Sequence, residues 1–273
     1  MVRMWLAVLA VLLGLGLSHA ADIKSSLPSD KRWEQGRHDL RQGKSAEAKA
    51  AFEDLLKDYP NEADLHLFLG MAKLRLRDPQ GAILSAKRAI ALNPRHIDAR
   101  TFLAWIELDV RGDVDAALIE YKKIVALHPE LPDAYSNLAV AQKRKGDLDQ
   151  ALGSLTKALE LKPDYAVALT TRGGILAEQG KWAEARRDFE AALKLDPNDD
   201  GALYGLSQAL REVRDYAGAQ RALGELNSRS PNFVYWLEWG RIALIRYWWI
   251  LLSVAIALAL RARYKKARTQ TNG

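Results

Sequence analysis

The chain has 273 residues, 49% of them hydrophobic, with 40 Lys and Arg against 34 Asp and Glu and no cysteine. The lack of cysteine excludes disulfide frameworks, thiolate-bound zinc, iron–sulfur clusters and thiol catalysis. The length suffices for a core without staples, the apolar fraction argues against disorder, and a formal charge of +6 points to nucleic acid or anionic membrane only until it is divided along the chain.

Residues 1–20 read MVRMWLAVLAVLLGLGLSHA, with Arg3 ahead of an apolar run from Met4 to Leu17 and Ser18-His19-Ala20 behind it. These are the three parts of a secretory signal peptide. The apolar run is shorter than the roughly 20 residues that cross a bilayer comfortably, which favours an export signal over an anchor. Residues 21–28 read as a linker.

From residue 29 to 231 the chain repeats itself. Prolines stand at Pro60, Pro94, Pro129, Pro163, Pro197 and Pro231, one step of 35 among steps of 34. Twelve residues before each lies Ala48, Ala82, Ala117, Ala151, Ala185 or Ala219; eight before lies Phe52, Ala86, Tyr121, Leu155, Phe189 or Leu223. Seventeen before are Gly43, Gly112, Gly146 and Gly180, with Arg77 and Arg214 in the other two units. Gly36, Gly70, Ala104, Ala139, Gly173 and Ser207 keep a small residue in each first half. The third unit carries one extra residue near Asp109-Val110-Arg111.

The pattern resembles the tetratricopeptide repeat (TPR) in six in-phase units: 29–62, 63–96, 97–131, 132–165, 166–199 and 200–231. Trp33 is one place off the family's usual tryptophan, and the first-half tyrosine is generally replaced. The residues themselves agree with an all-α reading. In the unit from Asp164 to Pro197, apolar residues recur at three and four, and Gly180 separates two amphipathic helices. Proline stops the second helix, and Asn61, Asp164, Asn198 or Asn232 is placed to cap the next. The expected fold is a superhelical solenoid of about six helix-turn-helix repeats, followed by a C-terminal transmembrane helix.

The resemblance implies that the first helices line a groove for protein partners. By position the groove takes Trp33, Arg37 and Arg41, then Leu67, Met71 and Arg75, then Thr101, Trp105 and Asp109. It continues through Ser136, Val140 and Arg144, through Thr170, Gly174 and Glu178, and ends at Tyr204, Gln208 and Glu212. Arginines dominate the early units, so the expected partner is an extended acidic or amphipathic segment held by arginine forks, with Trp33 and Trp105 as apolar anchors. The family's carboxylate clamp for chaperone tails is not present at the corresponding first-unit positions, Trp33 and Arg37. Homo-oligomerisation through the groove or the membrane helix is a separate reading. Catalysis finds little support: the histidines, His19, His38, His66, His96 and His128, make no ligand spacing, and no cofactor or metal is implied.

After a juxtamembrane stretch 232–241, an apolar run from Ile242 to Leu260 is about 28 Å long as a helix, close to hydrocarbon thickness. Arg246, one turn inside, is expected to reach the interface beside Tyr247, Trp248 and Trp249. Arg261, Arg263, Lys265, Lys266 and Arg268 follow in a tail without acids, which by the positive-inside rule stays in the cytoplasm. Residues 232–273 hold all of the net positive charge beyond Arg3 and a nearly neutral middle, so the basic balance is a topology signal rather than a nucleic-acid one. The sequence thus suggests a non-enzymatic, single-pass scaffold of the inner membrane with repeats on the periplasmic side, serving an envelope, secretion or biogenesis complex. A cytosol-facing tail-anchored adaptor is the other topology.

Overall fold

The structure, a computed structural model, describes residues 30–271, with side chains through residue 262. The expected export signal, 1–20, and linker, 21–28, lie outside the described residues. Those described form thirteen α-helices and no strand, in two compact units, Met1–Glu120 and Tyr121–Gly273.

The first unit contains α1 (Lys31–Arg41), α2 (Ser45–Asp58), α3 (Ala63–Arg75), α4 (Pro79–Leu92) and α5 (Ile97–Trp105). A π turn, Ile106–Val110, continues α5. The Arg111 N–H bonds back to the Ile106 carbonyl at 3.0 Å, so the wider turn absorbs the extra residue of the third repeat without shifting the next helix out of phase. The α6 helix (Val114–Leu127) runs through the division between the units. The second unit continues with α7 (Pro132–Lys145), α8 (Leu148–Leu161), α9 (Ala166–Glu178), α10 (Trp182–Leu195), α11 (Asp200–Glu212), α12 (Tyr216–Arg229) and α13 (Phe233–Thr271).

Within the units, helices pack chiefly on their sequence neighbours, because no single pair encloses its own apolar face. The alanines at the repeated position, Ala48, Ala82, Ala117, Ala151, Ala185 and Ala219, are all fully buried. Close approach depends on glycine facing phenylalanine. A Cβ at Gly173 would lie 2.9 Å from the Phe189 ring, and one at Gly205, on the next pair, 2.4 Å from it.

Six turns within the pairs adopt the left-handed conformation: Gly43, Gly112, Gly146 and Gly180, and also Arg77 (φ 62°) and Arg214 (φ 64°). The repeat geometry therefore imposes positive φ even where an arginine has replaced glycine. Helix starts depart from expectation. Asn232 does cap, accepting from the Val234 N–H at 2.9 Å, but α11 is capped by Asp199, not Asn198, through the Ala202 N–H at 2.9 Å. Asn61 and Asp164 lie before caps Glu62 and Tyr165, which make no side-chain capping bond. Aspartates Asp78 and Asp215 cap second helices, accepting from Gly81 and Gly218 at 2.8 Å each.

The C-terminal region differs most from the sequence reading. Residues 233–241 of the juxtamembrane stretch and 242–260 are parts of one unbroken helix, α13. Its first half is packed: Ile242 is 1% exposed among Leu210, Ala219 and Leu223. Glu238 accepts from Arg211 at 2.9 Å. The stretch Phe233–Ala262 is long and apolar enough to cross a membrane, with only 6% of its apolar window buried.

Two kinds of substitution test this frame. Arg77→Gly and Arg214→Gly should each stabilise the chain by about 0.5–1 kcal/mol, as relief of left-handed strain exceeds the entropy added to the unfolded state. Gly205→Ala should destabilise by about 1–2 kcal/mol, since overpacking against Phe189 outweighs the gain in helix propensity. Thermal unfolding of the full chain in detergent, followed by circular dichroism, reads both; a stabilised Gly205→Ala would show that the ring yields freely.

Candidate partner-binding faces

A partner surface needs side chains held by the fold yet open to solvent. Within the units, successive first helices touch one another: α3 meets α5, α7 meets α9 and α9 meets α11. Each unit thus presents a row of first helices.

In the first unit Trp33 is not an exposed anchor. It is buried against Phe52, with ring centroids 5.7 Å apart, and stands edge-on to Phe68 at 4.9 Å. Its indole fills the core of the first helix pair. Leu67 is likewise buried, with Ala82, Phe102 and Leu103. The Arg37 guanidinium lies over the Trp33 and Phe68 rings at 5.6 and 5.8 Å and reaches Glu34 at 3.3 Å. Such stacking places a cation on a desolvated aromatic face while leaving part of it in water.

Arg75 turns inward. Its Nη1 donates to the Leu40 carbonyl in the last turn of α1, which also accepts from the Gly43 N–H at 3.2 Å, and burial pushes the Arg75 pKa down from the ordinary arginine value. It serves the fold and is not available as a carboxylate fork. Arg41 is exposed. Met71 is half-buried and touches both neighbouring core clusters; Trp105 is half-buried against the second. Thr101 is half-buried and Asp109 exposed. The open face of this unit therefore combines Arg37, Arg41, Met71 and Trp105 with Phe68. Phe68 escaped the sequence reading because the repeat alignment assigns the groove to Leu67, and one residue is about 100° around a helix.

In the second unit Ser136 is buried, Val140 half-buried and Arg144 exposed. Lys143 bridges to Glu178 at 2.6 Å, tying α7 to α9 and neutralising an acid of the expected charge gradient. The Thr170 hydroxyl donates to Asp199 at 2.7 Å, so it joins two helix pairs. The Tyr165 hydroxyl donates to Asp133, and burial with that carboxylate holds the phenol above its usual range. Tyr204 packs on Tyr235 with centroids 5.3 Å apart. Gln208 borders a small recess with Arg211 and Glu238. Gly174 is half-buried and Glu212 exposed, the latter accepting from Arg211 at 3.0 Å.

Arg246 reaches back to the repeats. Its Nη1 donates to Gln220 on α12 at 2.8 Å, and its guanidinium lies 4.9 Å from the Tyr247 ring. Tyr247, Trp248, Trp249 and Arg261 are exposed. Arg263, Lys265 and Lys266 lie on α13, but their side chains are outside those described. Among the described residues, no three His, Asp or Glu side chains are grouped to hold a metal.

The tetratricopeptide repeat family model matches residues 34–96, 69–132, 106–166 and 136–200, and a second model of that description matches 176–237. No curated protein sequence matches the chain. Among solved structures, PilF of Pseudomonas aeruginosa is similar at 17% identity and TM-score 0.67, covering 77% of this chain and 95% of its own. PilW, described as a type IV pilus biogenesis factor, has 16% identity and TM-score 0.66, covering 75% of this chain and 94% of its own. YrrB, described as a TPR protein with an unusual peptide-binding site, has 19% identity and TM-score 0.54, covering 70% and 98%. These likenesses concern the fold. The family matches, overlapping from residue 34 to residue 237 and spanning every helix pair described above, place the chain in the tetratricopeptide repeat family.

Proposed function

We propose that the chain is a non-enzymatic TPR scaffold anchored in the inner membrane by α13, with its repeats on the periplasmic side, where they gather protein partners for an envelope, secretion or biogenesis complex. The observation that carries this reading is α13 itself: a helix packed on the last repeat pair at one end and almost wholly unburied along its apolar length. Exposing such a length to water is costly, and lipid removes the cost. The orientation rests on the basic tail after residue 260 and on the export pattern of residues 1–20.

Partner binding is assigned to the first-helix row of the first unit. Arg37 and Arg41 supply charge, while Phe68, Met71 and Trp105 supply half-buried apolar surface, a combination suited to an extended segment with acidic and apolar residues. Arg144 and Val140 offer a smaller patch of the same kind in the second unit. The solved structure with a peptide-binding site supports peptide capture as a use of this fold.

The absence of cysteine makes topology directly measurable. Lys57→Cys on the repeats should react with a membrane-impermeant maleimide in cells whose outer barrier is opened, and Asn272→Cys in the tail only after full permeabilisation. The reverse pattern would establish a cytosol-facing adaptor. For binding, a photocrosslinker at Met71 should capture a protein partner, and Arg37→Glu with Arg41→Glu should lower capture about tenfold, in line with the loss of charge-assisted contacts. Unchanged capture would reject the basic-aromatic face. Arg75 is left intact because its inward bond supports α1.

A further inference from the structure

The two faces of the first half of α13 have different fates. Tyr235, Glu238, Ile242 and Arg246, spaced three and four apart, face the last repeat pair, through Tyr204, Arg211, the Leu210 cluster and Gln220. The opposite face carries Phe233, Trp236, Leu237 and Leu244, which are 71, 56, 48 and 61% exposed. Gly240 lies among them, and a Cβ there would meet nothing within 4 Å. No charged residue interrupts this strip, which runs on into Tyr247, Trp248 and Leu251.

Length decides what covers it. Past Arg246, the last residue tied to the repeats, the apolar run offers residues 247–260, about 21 Å at the helical rise, against a hydrocarbon core of about 30 Å. The shortfall of about 9 Å corresponds to roughly six residues, and since Arg261, Arg263 and Lys265 follow the run, the residues that fill it lie upstream, Arg246 among them, where one face is already occupied by the repeats. Headgroup depth takes in further turns toward Trp236, a residue type suited to that layer. Arg241, at the edge of the strip, has a largely exposed guanidinium 3.9 Å from Glu238 and is placed to meet lipid phosphate.

We propose that the strip Phe233, Trp236, Leu237 and Leu244 inserts into the headgroup and upper acyl region of the bilayer, so that the last repeat pair docks on the membrane surface at a fixed tilt and is not held away on a stalk. This rests on the reading that α13 spans the membrane. The bilayer is favoured over a second copy because the strip is continuous with the span, which is too short without the turns that carry Leu244. An unbroken helix, with no described turn or proline between residues 233 and 271, sets the tilt.

Single substitutions Phe233→Cys, Leu237→Cys and Leu251→Cys, each in the full chain, are labelled with bimane and reconstituted in phosphatidylcholine and phosphatidylglycerol vesicles. Lipids brominated near the headgroup or near mid-chain are compared with aqueous iodide as quenchers. Shallow bromines should reduce the signal at Phe233→Cys and Leu237→Cys about twofold, and deep bromines that at Leu251→Cys. Iodide quenching at 233 and 237 with lipid quenching at 251 would overturn the docking and leave the span intact. Iodide quenching at all three would overturn the span. Shielding of 237 from both quenchers, with crosslinking between copies, would assign the strip to a second chain and also overturn the proposal.

Discussion

One ring sets the spacing of three helices. Phe189 on α10 sits against Gly173 of its own pair and Gly205 of the next, where Cβ atoms would fall 2.9 and 2.4 Å away. Its buried position among Ala185, Ala192, Ala202 and Ala209 leaves little room for retreat. The same arrangement recurs in the first unit, where a Cβ on Gly36 would lie 2.7 Å from Phe52. Residues without side chains let backbones approach, and the ring fills what remains; neither works alone. Where a glycine meets the ring of an adjacent pair, as Gly70 meets Phe102 and Gly205 meets Phe189, stability is shared along the stack rather than held within one closed core.

Polar contacts then fix how one pair sits on the next. His96 reaches Asp64 at 3.0 Å across α3 and α5, and Gln179, at the end of α9, donates to Asp149 on α8 at 3.0 Å. Asp199 serves twice, capping α11 through one oxygen and accepting from Thr170 through the other. A single carboxylate therefore links helix initiation to the preceding pair. Directional bonds of this kind add modest net stability, but leaving their buried partners unpaired is costly, so they penalise slippage between pairs.

Features that repeat in sequence were legible because spacing along the chain is spacing in the stack. The left-handed turns are the clearest case: Arg77 and Arg214 hold the glycine position by count alone and adopt its conformation. The extra residue of the third repeat likewise surfaces where the count located it, as a π turn. Exposure was less legible. Trp33, Leu67, Ser136 and Arg75 occupy groove positions in the alignment, yet each is turned inward by a neighbour whose identity no local pattern reveals: Phe52 and Phe68 for Trp33, the Leu40 carbonyl for Arg75. Repeats specify the backbone frame; unique side-chain contacts decide which members of the frame reach solvent.

The end of the stack follows from the same rule. The last pair needs a cap, and a cap standing in water carries a polar outer face. The α13 helix supplies the inward half of a cap, through Ile242 and the ties to Arg211 and Gln220, but its outer face is apolar from Phe233 onward. A buried cap and a membrane span each require an apolar run. Helical periodicity makes the two compatible, since one face serves the repeats while the other faces outward. An apolar outer face is a liability in water and an asset in lipid, so on the anchored reading the helix that completes the repeat core also sets where that core stands. Sequence changes on α13 would then act on repeat stability or on placement according to the face they occupy, even when they are only two residues apart.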